Sequence, residues 1–265
     1  MGTLLTRGNY YMESHKSTTE MKSAARELLL GKYGSYISAY ITAELVLSFI
    51  SVIAGSVLPD SSIGMAINLA ISFVIELLAA VFLLGMIHFT MNICKGQTYK
   101  LSDVFYGFRS HPDKAIICKF LFLLAELIAM LPAILFFVLY TITENGLLMI
   151  AASLFLVIGM VAAVAIHLSL YFVYYLILDY PNATIRELIE YCLHMMQGHR
   201  IKLFYLYASF LPMYALGILS FGIGLLFVEP YVNVTVAQFY LDVFFVEVKE
   251  EFLAESSEEK DLDVY

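Results

Sequence analysis

The stretch "FLFLLAELIAMLPAILFFVLY", Phe120 to Tyr140, contains one ionisable side chain, Glu126, and is long enough to cross a bilayer. A core helix of a soluble protein can mimic one such run. Four further apolar regions, near Ser35–Val57, Ile63–Ile93, Leu147–Leu178 and Ile201–Val248, make that explanation untenable. The last is long enough for two spans, turning at "LSFGIG", Leu219–Gly224. The reading is all-α: a polytopic transmembrane helical bundle of six spans. Composition agrees, because 61% hydrophobic and 14% charged residues, with a mean hydropathy of +0.81, exceed what one soluble core of 265 residues can hide.

Charge sets the orientation. The connections at Leu58–Ser62, Thr143–Gly146 and Leu219–Gly224 carry no Lys or Arg. All fifteen basic residues fall in the N-terminal region, in Lys95–Lys119, in Arg186–Lys202, or from Lys249 onward, which predicts cytoplasmic termini and cytoplasmic long loops. Cys94, Cys118 and Cys192 then lie at or near a reducing compartment, and their spacing suggests neither a disulfide framework nor a metal site. Trp is absent, and Tyr33, Tyr36, Tyr140, Tyr174 and Tyr175 are expected to take the interfacial positions that aromatic residues favour.

Shorter helices are expected between the spans. Met21, Ala24, Ala25, Leu28 and Leu29 share one helix face, as do Leu101, Val104, Phe105 and Phe108. Ile185, Leu188, Ile189, Cys192, Leu193 and Met196 form a third stripe, opened by a capping box at Thr184–Glu187. Two placements are open for these helices: in the membrane interface, or packed on the bundle ends. Each precedes a hairpin, and Ala43-Glu44, Ala125-Glu126 and Ala208-Ser209 recur at a spacing near 82. The expected organisation is therefore a flexible tail (1–18), a membrane domain (19–249) of three amphipathic-helix-plus-hairpin repeats (about 19–93, 100–178 and 182–248), and an acidic tail (250–265). Seven acidic residues between Glu250 and Asp263 account for much of the net charge of -8 and read as a solvated segment.

"LDYPNATIRELIEYCLHMMQGHRIKLFYLYASF" (Leu178–Phe210), "GIGLLFVEPYVNVTVAQFYLDV" (Gly222–Val243) and the opening "SAARELLLGKYGSYI" (Ser23–Ile37) resemble the bacterial integral membrane family known as domain of unknown function 975. The most specific pieces are Gly198-His199, Pro230-Tyr231 and Phe239-Tyr240. The chain departs from that pattern at Tyr191-Cys192, where a Ser precedes a basic residue in many members, and lacks a Trp after "GIG". The resemblance implies a multi-span protein of the bacterial cytoplasmic membrane and no particular reaction.

Candidate functional residues follow from the cost of polarity at membrane depth. Glu44, Glu76, Glu126 and Glu229 lie in apolar spans, and an ionisable group there costs roughly 2.5–3.5 kcal/mol on insertion scales. Glu44, Glu76 and Glu126, with His88, His167 and Ser209, form a candidate ligand or proton site, Glu44 and Glu126 being expected to face each other. Glu229, near the outer end beside Pro230, reads as interhelical glue. Arg109, Lys114, Lys119, His199, Arg200 and Lys202 are candidates for anionic lipid headgroups. Catalytic motifs, phosphate loops and nucleic-acid surfaces are absent from the sequence, so no catalytic residue, metal ligand or cofactor is assigned and the chain is not read as an enzyme. Two functions remain: binding or transport of a small amphipathic or lipid-like molecule, linked to protons through the carboxylates, or a non-transporting adaptor whose helices hold a partner protein or shape the membrane.

Overall fold

The structure, a computed structural model, describes residues 16–56 and 61–262, and these contain α-helices, one 3-10 turn and no strand. The helices are α1 (Thr18–Leu29), α2 (Tyr33–Ser56), α3 (Ser62–Cys94), α4 (Tyr106–Arg109), α5 (Pro112–Thr143), α6 (Gly146–Leu170), α7 (Val173–Asp179), α8 (Ile185–Met195), α9 (Arg200–Ala208), α10 (Leu211–Leu219) and α11 (Leu225–Leu262). Three hairpins result: α2–α3, α5–α6, and α9–α10 against α11. Five stretches are long and apolar enough to cross a membrane: Tyr33–Ile53, Ile63–Cys94, Pro112–Thr143, Gly146–Asp179 and Arg200–Leu219. The sixth expected span, the start of α11, falls outside that set because Glu229, Asn233, Thr235, Gln238 and Asp242 interrupt it. Most of the N-terminal segment 1–18 and part of the first hairpin's turn lie outside the described residues. The acidic segment continues α11 as helix through Leu262.

The molecule is solid at one end and open at the other. Its buried core joins α1, the second half of α3, α7, α8, the start of α9 and the first half of α11. We refer to this end as the base. Away from it the hairpins separate, and α5 and α6 pack chiefly on one another along their length. Leu45, Phe49 and Val52 of α2, Ile63, Met65 and Leu69 of α3, and Ile128, Leu135 and Ile142 of α5 are all exposed. Such surfaces are stable only in lipid, whose tails are as apolar as the side chains themselves.

The base absorbs the amphipathic helices. Met21, Ala25 and Leu29 of α1 and Leu188, Cys192 and Met195 of α8 are all buried in the protein, which decides between the two placements: these faces pack on the bundle. Capping boxes start both helices, with Ser17 and Glu20 in α1 and Thr184 and Glu187 in α8 each exchanging side-chain and backbone hydrogen bonds. Polar contacts then fix α1 to the third hairpin: Arg26 Nε donates to Tyr231 Oη at 2.9 Å, and Lys22 Nζ donates to the Ser209 carbonyl at 3.3 Å. The middle stripe departs from expectation. Leu101–Phe105 is a 3-10 turn followed by the single turn of α4; Val104 is buried, whereas Leu101 and Phe108 are exposed.

That segment docks on α3 through two glycines. A Cβ at Gly85 would overlap the Val104 carbonyl, and one at Gly107 would overlap the Val81 carbonyl. Tyr106 stacks on His88 with ring centroids 3.7 Å apart, and Phe82 meets the rings of Phe105 and Phe108. Gly85→Ala should therefore push the turn off α3 and destabilise the protein by about 1–3 kcal/mol, the usual range for overpacking. Thermal unfolding in detergent checks this, and the freely exposed Gly34→Ala is the matched control.

The caps also predict an acid response. Hydrogen bonds from the Thr184 backbone and hydroxyl hold Glu187 below the ordinary carboxylate range, and Ser17 does the same for Glu20. A lowered folded-state pKa contributes stability above the unfolded value and loses it as pH falls through the folded one. Hydrogen-exchange protection in the first turns of α1 and α8 should hold at neutral pH and decline below about pH 4.

Candidate functional site: carboxylates and tyrosines between the hairpins

Glu44, Glu76 and Glu126 each lie near the midpoint of their helix, where the base gives way to separate hairpins. The structure places them in three different seams. Glu44 comes within electrostatic reach of Glu229, which faces the Tyr214 hydroxyl, and Tyr40 neighbours both acids. Glu126 is a neighbour of His167, whose ring meets Tyr171 edge-on at 5.3 Å. Glu76 pairs with Lys119 at 3.0 Å although its side chain is 57% exposed.

These placements correct one expectation. Glu44 faces Glu229 rather than Glu126, because the third hairpin packs on the first half of α2 while Glu126 belongs to the α5–α6 seam. Glu76 is held by Lys119, which reaches it from the start of α5 across the α3–α5 seam. His88 is absorbed by its stack on Tyr106 and a 3.4 Å contact with Asn92. Ser209 Oγ donates to the Leu206 carbonyl of its own helix, so it serves the α9–α10 break.

The headgroup candidates divide likewise. Lys114 Nζ donates to the carbonyls of Pro181 and Ala183, both at 2.6 Å, Lys202 pairs with Asp242 at 3.5 Å, and Lys119 is taken by Glu76. His199 also has a partner within the protein. Arg109 and Arg200 remain exposed.

The densest polar chemistry is one that the sequence reading missed. Tyr36, Tyr174, Tyr175 and Tyr240 are buried, so Tyr36, Tyr174 and Tyr175 are not interfacial anchors. Tyr36 Oη lies 2.9 Å from Thr90 Oγ1, with Asn233 against the same hydroxyl. Tyr240 Oη donates to Asp179 at 2.6 Å, and Lys95 Nζ bonds the other Asp179 oxygen at 3.2 Å. Tyr175 packs on Tyr240 at 4.8 Å and Tyr171 faces Tyr207. The available signal was the density of tyrosines in "YFVYYLILDY", Tyr171–Tyr180, beside "QFYLD", Gln238–Asp242.

The family model described as "Protein of unknown function (DUF975)" matches residues 12–245, which include every residue of this site. The chain belongs to the DUF975 family. No curated protein and no solved structure matches it. Within this DUF975 protein, Cys94, Cys118 and Cys192 are all buried and form no disulfide.

The Asp179 junction joins α3, α7 and α11, so weakening it should loosen the base. Tyr240→Phe removes a hydrogen bond to a charged acceptor and should lower stability by about 1.5–3 kcal/mol. Thermal unfolding measures the loss, and Tyr205→Phe, on an exposed ring, should leave the transition unmoved.

Proposed function

We propose that this chain is a non-enzymatic, multi-pass protein of the bacterial cytoplasmic membrane that binds a small amphipathic or lipid-like molecule where its hairpins part. Its termini and long connections face the cytoplasm, and its three hairpins, each preceded by a short helical segment, are copies of one unit. The six-span reading follows if the third hairpin reaches the far surface. Transport, with carboxylates exchanging protons as the ligand moves, is the extended form of this reading.

The observation that carries it is the neighbourhood of Glu44. A shallow apolar hollow of about 500 Å³ on α2, lined by Leu45, Val46, Ser48, Phe49, Ile50 and Val52, begins one residue beyond that carboxylate. Glu44, Glu229, Tyr40 and Tyr214 thus offer acceptors and donors beside a wall suited to an acyl or alkyl chain. Two of the faces an adaptor would use, the stripes of α1 and α8, are buried in the base, which favours the ligand-binding reading.

Mass spectrometry of protein purified in mild detergent tests the reading. A lipid-like molecule should remain bound to the wild type, and Glu44→Gln should deplete it while leaving thermal unfolding unchanged. Equal retention of bulk lipid by both proteins would favour the adaptor.

A further inference from the structure

The three hairpins differ in height. Tyr36 of α2, Thr90 of α3 and Asn233 of α11 meet at one hydroxyl and so define a common level. At 1.5 Å per residue, α2 rises ~30 Å from there to Ser56 and α3 ~42 Å to Ser62, but α11 rises only ~12 Å to Leu225. The descending partner agrees. Lys202 pairs with Asp242, Phe210 packs on Tyr231 at 5.2 Å, Tyr214 faces Glu229, and Gly217 abuts Leu225, so α9–α10 is aligned with α11 up to the same short tip. The ~30 Å rise of α2 matches a hydrocarbon core of ~30 Å, and the third hairpin ends less than half as high as the first.

Its tip is also built for hydrocarbon. Leu219–Gly224 contains no charge, whereas the sequences that join α2 to α3 and α5 to α6 include Asp60 and Glu144. Phe221 is 99% exposed, and Leu219 and Ile223 beside it are exposed too. Lipid offers backbone amides no partner, and here the turn supplies its own for every N–H from Ser220 to Leu225 except that of Phe221. Ser220, Gly222, Ile223 and Leu225 donate their N–H groups to carbonyls within the turn and the last turn of α10. Ser220 Oγ donates to the Gly217 carbonyl at 2.7 Å and accepts from Gly224 N–H at 2.8 Å. Gly222, at φ +84°, provides the left-handed step that closes the turn.

We infer that the third hairpin is re-entrant: Leu211–Phe227 dips into the acyl-chain region and returns to the side it came from, with Phe221 at its apex in lipid. The inference rests on the membrane reading above and deepens it, because the Glu44–Glu229 pair then lies one turn below a tip that lipid surrounds. The protein has four full spans and one hairpin that penetrates from the cytoplasmic side.

Site-directed labelling of the full chain in membranes decides the matter, and the buried native thiols give a silent background. Phe221→Cys and Ile223→Cys should resist a water-soluble maleimide applied from either side. A fluorophore attached at Phe221→Cys through a lipophilic maleimide should be quenched most by lipids brominated along the acyl chain. Reaction of both variants with impermeant reagent from the side that labels Asn145→Cys would establish a complete crossing and overturn the inference, as would reaction from the side that labels Gln97→Cys. If Asn145→Cys and Gln97→Cys instead label from the same side, the topology of the other hairpins fails, a separate result. Normal thermal unfolding of the variants certifies the fold, and Ile223→Cys carries the test if Phe221→Cys unfolds.

Discussion

Inside a bilayer a polar group has no water to fall back on, so the protein must supply its partner. That constraint sorts the helices. α5 and α6 have few polar groups to satisfy, chiefly Lys114, Lys119, Glu126 and His167, and they stand exposed as a pair. The start of α11 carries Asn233, Thr235 and Gln238 and is enclosed, with Val234, Val236, Ala237, Phe239 and Tyr240 all fully buried. Hydropathy and burial therefore run in opposite directions from those of a soluble protein. The helix that fails a membrane-span criterion is the one at the centre.

The same constraint explains how the base is held. Lys95, Asp179 and Tyr240 join α3, α7 and α11 at one carboxylate, and Tyr36 with Thr90 ties α2 to α3, so these polar atoms arrive with their partners. Breaking one member leaves another stranded, which is why these contacts give geometric specificity in surroundings where apolar contacts alone discriminate poorly. Lysines 114, 119 and 202 follow this pattern: they fasten loops and seams internally. A cation near a membrane surface is not thereby a lipid ligand.

A solid base and parted hairpins also frame the proposed ligand site. The carboxylates mark the seams where packing ends, and beyond them the helices are solvated by acyl chains. An amphiphile seated there would place a polar group against Glu44, Tyr40 or Tyr214 and its chain along α2. If the third hairpin is re-entrant as inferred, that position stays open to lipid, beside the exposed Leu45, Phe49 and Val52 of α2.

The sequence by itself determined the membrane environment, the helical class, the family and two amphipathic helices, one of them with its cap, because each depends on local composition or on periodicity along one helix. Even Glu126 stood out at once, as a lone carboxylate in a run without cations. Which residues meet was decided only by tertiary structure. Glu44 found Glu229, Glu76 found Lys119, and three of the tyrosines expected at the interface, Tyr36, Tyr174 and Tyr175, turned inward, because these outcomes depend on the relative height and rotation of helices far apart in the chain. Hairpin height is the clearest case: apolar length in Arg200–Leu219 equals that of a span, yet the break at Ser209–Phe210 and the register with α2 and α3 set how far the tip can rise.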